Sequence, residues 1–107
     1  MKNVIIIPAD GSDCRVHTLT EDEDEMRFVR KIVGGYFEVI ATHDPTITLW
    51  ANEDGLRLNL PVNKRALGFA HAGTLVVGDV ILMGAAYENG DTKAVPEFYE
   101  YALGAKA

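Results

Sequence analysis

The sequence predicts an α+β fold whose sheet is mostly antiparallel. Short β-branched or alternating segments are separated by tight-turn residues, and strands do not alternate with helices as parallel βαβ units require. The chain has 107 residues, of which 48% are apolar and 24% charged, as in ordinary globular proteins. This length suits one domain, so we expect residues 1–107 to fold as a single unit.

The first part of the chain is expected to form three strands and one long helix. β-branched residues predict a buried strand at 3–7 and a second short strand at 15–19. A long helix is predicted at 21–33, because Thr20 and Glu23 form a capping box and Gly34-Gly35 follows as a C-cap. A further strand is predicted at 36–42. The helix is expected to bury Met26, Val29, Ile32 and Val33.

The most regular pattern lies at 48–66, where side chains alternate with period two about Asp54-Gly55. A two-residue turn there predicts a β-hairpin. Its register pairs Asn52 with Arg57 and Trp50 with Asn59. The buried face would hold Ile47, Leu49, Ala51, Leu56, Leu58 and Leu60. The opposite face, called here the outer hairpin face, would present Trp50, Asn52, Arg57 and Asn59 to the surroundings.

Two more helices and a central strand are expected in the rest of the chain. Asn63 is a suitable N-cap for a short helix near 63–72. The apolar run 75–83 predicts a central strand, interrupted at Gly78-Asp79 by a bulge in preference to a tight turn. A second turn is expected at Asn89-Gly90, before Pro96 begins a C-terminal helix. The residues expected to dock that helix are Phe98, Tyr99, Ala102 and Leu103.

Charge and composition argue against several classes of function. The net charge is −6 and the ten basic residues are scattered, so binding of nucleic-acid phosphates is not expected. No apolar stretch approaches the roughly 20 residues that span a bilayer. The start of the chain lacks the apolar core of a secretory signal, and Cys14 is the lone cysteine. We therefore expect a cytoplasmic protein.

Five consecutive acids occupy positions 21–25. Acids in the first turn of a helix face the positive end of its dipole, so we interpret this run as local helix electrostatics. The alternative is an acidic DNA mimic, in which spaced carboxylates imitate phosphates.

No catalytic or metal-binding set stands out in the sequence. His17, His43 and His71 lie on separate predicted elements without the spacing of a zinc site. Cys14 has no neighbouring base, and an adjacent acid disfavours its thiolate. We expect no metal and no cofactor, and a non-enzymatic protein is favoured over an enzyme.

The outer hairpin face is the best candidate for a binding site. The Trp50 ring, the Arg57 fork and the two asparagine amides suit stacking and hydrogen bonding to a nucleotide-like or other small polar ligand. Two alternatives remain open. In the first, Phe98 or Tyr101 of the predicted C-terminal helix would cover Trp50. In the second, Trp50 would anchor a protein partner.

The order of four short blocks resembles a family of small uncharacterised domains carried by bacteriophages and bacterial mobile elements. The blocks are VGGYFEVI, NEDG, LNLPVNKRA and VVGDVILMG, where the family pattern runs VGGYIEVV, NEEG, LPxNxRA and a Gly-Asp opening a final strand. The resemblance covers roughly residues 33–84, departs from the pattern at Val62, and does not extend to the tail after Met83. It implies a role in host takeover or defence evasion. The matching positions are Tyr36, Glu38, Asn52, Glu53, Asn63, Arg65 and Asp79.

Two hypotheses of function follow. The first is a non-enzymatic protein of the host bacterial cytoplasm that binds a host protein or sequesters a small polar ligand. Its surface would combine the outer hairpin face with Asn63, Arg65, Tyr36 and Glu38. The second is a small hydrolase or transferase, which requires that at least two carboxylates among Glu38, Glu53 and Asp79 share a cleft. A homo-oligomer is compatible with either, since a symmetric interface enlarges a small core.

Overall fold

The computed structural model describes residues 1–87 and 91–105. Five strands and three helices occur in these residues. In chain order they are β1 (Lys2–Ile7), β2 (Arg15–Leu19), α1 (Glu25–Val33), β3 (Phe37–Ile40), β4 (Ile47–Asn52), α2 (Lys64–Leu67), β5 (Val80–Gly84) and α3 (Glu97–Ala102).

The five strands form one open antiparallel sheet in the order β2-β1-β5-β4-β3. The α+β class with a mostly antiparallel sheet is therefore confirmed. β5 lies in the centre, as expected for an apolar run, and it joins β1 to β4. Because Leu82 pairs with both Ile5 and Leu49, this register brings three large side chains together in the core.

Both faces of the sheet are covered. On the face under α1, Val29 and Val33 of the helix pack against Val4, Ile6, Leu19, Trp50, Ile81 and Met83 of the sheet. The opposite face, under α2 and α3, contains Ile5, Ile7, Ile40, Ile47, Leu49, Ala51, Val80 and Leu82, with Leu67, Tyr99 and Leu103 packed against it. Alternate residues of each central strand thus point into two different cores, which explains why these strands are apolar at nearly every position.

The prediction of one long helix is wrong, because α1 has only nine residues. Its N-cap is Asp24, whose carboxylate accepts from the Arg27 N–H over 3.1 Å. The predicted capping box forms in part, as a turn before the helix: the Thr20 N–H donates to Glu23 Oε1 over 3.4 Å, and the Glu23 N–H donates to the Thr20 carbonyl over 3.2 Å. The predicted end is confirmed: Gly34 caps α1 with a φ of +86°.

The predicted hairpin around Asp54-Gly55 is wrong. The chain after β4 forms successive turns, in which the Leu58 N–H donates to the Asp54 carbonyl over 2.9 Å. Leu56 and Leu58 are 64% and 48% exposed instead of buried. The cause is non-local: β3 and β5 pair with the two edges of β4, so no edge remains for a hairpin partner.

The remaining elements are shorter than expected. α2 has four residues and ends at Gly68, and Asn63 is its N-cap as predicted. β5 begins only at Val80, after a bend in which Gly78 has a φ of +79°, so the expected bulge is a bend before the strand. α3 follows Pro96 as predicted, but Phe98 is exposed. The predicted turn at Asn89-Gly90 lies outside the described residues.

Within the described residues, no helix combines the length and apolar character needed to cross a bilayer.

Candidate functional site

Trp50 does not face outward as predicted, because it is only 6% exposed. Its ring lies 4.9 Å from that of Phe37, between centroids, in the core beneath α1. The indole N–H donates to Thr48 Oγ1 over 3.0 Å, so its polar atom is satisfied inside the protein. The alternative that Phe98 or Tyr101 of the C-terminal helix covers this ring is wrong, because the ring packs against α1.

Asn52 is also buried, at the end of β4. Its Nδ2 donates to the Val33 carbonyl over 3.1 Å, and its Oδ1 accepts from the Asp54 N–H over 2.8 Å. Gly35 passes so close that a Cβ there would lie 3.2 Å from this amide. Asn52 therefore joins the end of α1 to the end of β4.

Arg57 and Asn59, the other members of the outer hairpin face, lie on the exposed turns after β4. The Arg57 Nη2 atom is 3.2 Å from the Asp54 carboxylate, an ion pair in solvent. Asn59 has a φ of +56°, a left-handed conformation that asparagine tolerates. The four predicted side chains therefore do not form one surface.

Asn63 is completely buried and bonded at both ends of its amide. Its Oδ1 accepts from the Ala66 N–H over 3.1 Å, capping α2. Its Nδ2 donates to the carbonyls of Ile7 and Gly78 over 2.8 and 3.0 Å. One amide thus connects α2, the end of β1 and the bend before β5.

The loop between β1 and β2, residues 8–14, is held by two more of the motif residues. Arg65 Nη2 donates to the carbonyls of Pro8 and Ser12 over 2.7 and 2.6 Å. The Asp79 carboxylate accepts from the Ala9 N–H over 2.9 Å. We call the set of Asn63, Arg65 and Asp79 the loop clamp. Because their polar atoms are bonded to backbone of this chain, the loop clamp is a structural device.

Tyr36, just before β3, and Glu38, within β3, are both exposed, and Tyr36 is 70% accessible. Glu38 and Glu53 line one hollow of about 50 Å³, while Asp79 belongs to the loop clamp. Sites for small molecules usually measure about 300 Å³ or more. The two carboxylates do share a recess, but one too small to hold a substrate.

β3 is an edge strand, and its backbone has an open side. The Glu53 N–H donates to the Tyr36 carbonyl over 3.0 Å. Since hydrogen-bonded pairs alternate along an antiparallel ladder, Glu38 and Ile40 point their backbone groups at β4. The N–H and C=O groups of Phe37 and Val39 therefore point away from the sheet.

The same edge is paired further along the chain, at residues 41–43. There the His43 N–H donates to the Phe69 carbonyl over 3.0 Å, and the His71 N–H donates to the Ala41 carbonyl over 3.4 Å. Residues 69–71 thus act as a short neighbouring strand that stops before Val39. We call the open part, Phe37 to Val39, the β3 edge.

The sequence analysis did not identify the β3 edge, although it placed a strand there. A strand is exposed at an edge only because of the order in which the sheet assembles, and no residue pattern states that order. In the structure, the open edge is marked by two exposed apolar side chains near Glu38, those of Tyr36 and Val39.

A hollow of about 420 Å³ lies beside the N-terminus and the acidic run. Lys2 Nζ meets Glu25 over 2.6 Å and donates to Thr92 Oγ1 over 2.7 Å. Glu23 lies 3.0 Å from the His17 ring nitrogen. Asp24 caps α1, so three of the five acids make internal contacts, in keeping with a role in local electrostatics.

The titratable groups with altered pKa values do not form a catalytic set. Burial raises the pKa of the Cys14 thiol, which disfavours the thiolate. The hydrogen bonds from Ser12 lower the pKa of Asp10. A hydrogen bond between Tyr99 and Asp44 raises the pKa of Tyr99 to about 12 and lowers that of Asp44. No group of three or more histidine, cysteine or acidic side chains suited to a metal occurs in residues 1–87 and 91–105.

The fold and the β3 edge define a small α+β domain with an open antiparallel sheet. Residues 1–103 match the sequence profile of the family described as "Domain of unknown function (DUF3846)", and the chain belongs to that family. The resemblance to a family of uncharacterised domains is thereby confirmed. Comparisons with curated proteins and with solved structures find no match.

Proposed function

We propose that this protein is a non-enzymatic binding protein that accepts an extended segment of another protein along the β3 edge. The observation that carries this proposal is the half-occupied edge, where residues 69–71 pair and the backbone of Phe37 and Val39 stays open. An added strand gains main-chain hydrogen bonds from such an edge and specificity from the side chains beside it.

The side chains beside the β3 edge favour a segment with apolar and basic residues. Val39 is 50% exposed and lies opposite Trp50 in the register of β3 with β4. On the other face, Leu56 and Leu75 surround the hollow that contains Glu38 and Glu53. A net charge of −6 also favours a basic partner. An extended segment with a lysine or arginine facing Glu38 therefore complements this edge.

A second copy of this chain fits the edge less well. A symmetric antiparallel pairing that uses both Phe37 and Val39 places Glu38 opposite Glu38, and like charges directly opposite are destabilising. We therefore propose a different protein as the partner. The resemblance to phage and mobile-element domains supports a host bacterial protein, met in the host cytoplasm during takeover or defence evasion.

Selection from a displayed library of random octapeptides tests this function. We expect the wild-type protein to enrich peptides with a basic residue flanked by β-branched ones, and fluorescence polarisation to give binding constants for them. Val39→Pro removes the outward N–H and should abolish binding, whereas Val39→Thr keeps the N–H and should retain it. Glu38→Lys should weaken binding of the basic peptides, while Glu21→Lys, in the loop after β2, should not.

Three outcomes oppose the proposal. They are the absence of enriched peptides, binding that survives both Val39→Pro and Glu38→Lys, and a dimer of the free protein that Val39→Pro dissociates. The last outcome would assign the edge to a second copy. Circular dichroism of each variant distinguishes loss of binding from loss of folding. If Val39→Pro unfolds the protein, Glu38→Lys still tests the β3 edge.

A further inference from the structure

Two histidines that are far apart in the sequence meet on the surface of the fold. The rings of His43 and His71 have centroids 5.3 Å apart and planes at 70°. The backbone bridge between Thr42 and Ala70 brings them together. The N–H groups of both histidines donate hydrogen bonds within that bridge. These bonds fix the backbone at both positions and so hold the two Cα atoms near each other.

The separation of the rings suits a shared metal ion as well as direct edge-to-face contact. Imidazole binds zinc at about 2.0–2.1 Å, so two imidazoles in tetrahedral positions on one ion have centroids about 5 Å apart. We propose that His43 and His71 together bind one divalent transition-metal ion of the zinc class. The sequence predicts no metal here because the histidines lie on separate elements, and the fold removes that objection.

The surroundings define the kind of ion and the openness of the site. Imidazole favours zinc, nickel and copper over magnesium and calcium. Asp44 follows His43 but is engaged, because Thr46 donates to its Oδ1 and Tyr99 donates to its Oδ2. In the part of the chain that the structure describes, no third histidine, cysteine or acid joins the pair. Water or a donor from a bound molecule therefore completes the coordination.

This site is separate from the proposed function of the β3 edge, and a direct titration tests it. Zinc chloride is added to the full chain, heat is measured by calorimetry, and the imidazole resonances are followed by NMR. We expect one zinc ion per chain, with shifts at His43 and His71 and none from magnesium chloride. His43→Gln and His71→Gln should each weaken zinc binding at least about tenfold, because one imidazole remains.

His17→Gln is the matched control. His17 stacks on Phe28 and contacts Glu23, apart from the pair, so its loss should leave zinc affinity unchanged. The proposal is overturned if zinc does not bind below millimolar concentration, if either variant of the pair binds as tightly as the wild type, or if the resonances of His17 shift instead. A ratio of one zinc ion to two chains would also overturn the single-chain site and indicate a metal-bridged dimer.

Discussion

The loop clamp and the β3 edge use polar groups in opposite ways. In the loop clamp, Asn63, Arg65 and Asp79 are conspicuous in the sequence, and each bonds to backbone of the same chain. At the β3 edge, the backbone groups of Phe37 and Val39 belong to residues without polar side chains, and they point away from the sheet. A polar motif can thus serve folding entirely, while the unpaired backbone groups lie in a strand of mostly apolar residues.

The strongest way to break this comparison is to truncate Trp50. If the outer hairpin face were a binding surface, Trp50→Ala would leave the fold intact. Because the indole is instead packed beneath α1, we expect Trp50→Ala to lower the free energy of unfolding by about 3–5 kcal/mol. Urea denaturation measures this loss. Arg57→Ala is the control, and its effect should stay within about 0.5 kcal/mol because its ion pair is exposed. Equal small effects of both substitutions would contradict the buried placement.

Asn63→Ala probes the loop clamp itself. The substitution leaves two buried carbonyls and one helix N–H without their partner, so we expect a loss of about 3 kcal/mol in the free energy of unfolding. Asn59→Gly is the matched control, since Asn59 is exposed and its positive φ suits glycine. We expect the control to be neutral or slightly stabilising in the same urea experiment. A loss below about 1 kcal/mol for Asn63→Ala would mean that the clamp is not structural.

A smaller effect on stability is expected at the turn after β3. There the Tyr99 hydroxyl donates to Asp44 and joins α3 to that turn. The bond lowers the pKa of Asp44, so its stabilisation is complete above the ordinary value of 3.8 and is lost as pH falls through the lowered pKa. It raises the pKa of Tyr99, so the stabilisation is complete below 10.0 and is lost as pH rises through about 12.

Tyr99→Phe removes this hydrogen bond while keeping the ring. We expect the wild type to be modestly more stable than the variant across neutral pH, and the difference to shrink at both extremes. Thermal melting at a series of pH values measures it. A difference that persists unchanged in strong acid would show that the bond to Asp44 is not its source.

Much of the fold could be predicted from the sequence, because local patterns determine it. β-branched residues placed β1 and β2, and an apolar run placed β5. Gly34 placed the end of α1, and Asn63 placed the start of α2. The prediction of a hairpin was wrong because alternating leucines indicate that a segment suits a strand, but they do not indicate which strand it pairs with. β4 pairs instead with β5, which lies far away in the sequence.

The candidate site could not be predicted to the same extent. The sequence suggested binding roles for Trp50 and Asn52 because an indole and an amide suit stacking and hydrogen bonding, and for Asn63 because of the family resemblance. The same groups also satisfy buried backbone, and only the packing distinguishes the two uses. The openness of the β3 edge and the meeting of His43 with His71 are likewise consequences of strand order and of one bridge.

Amide hydrogen exchange, followed residue by residue by NMR, shows whether the backbone of the β3 edge is open. The Glu38 and Ile40 N–H groups bond to β4, whereas those of Phe37 and Val39 point outward. We predict that the amides of Phe37 and Val39 exchange at least about tenfold faster than those of Glu38 and Ile40 in the free protein. A bound peptide should slow the fast pair alone. If Phe37 and Val39 are as protected as their neighbours in the free protein, the β3 edge is not open and the account is contradicted.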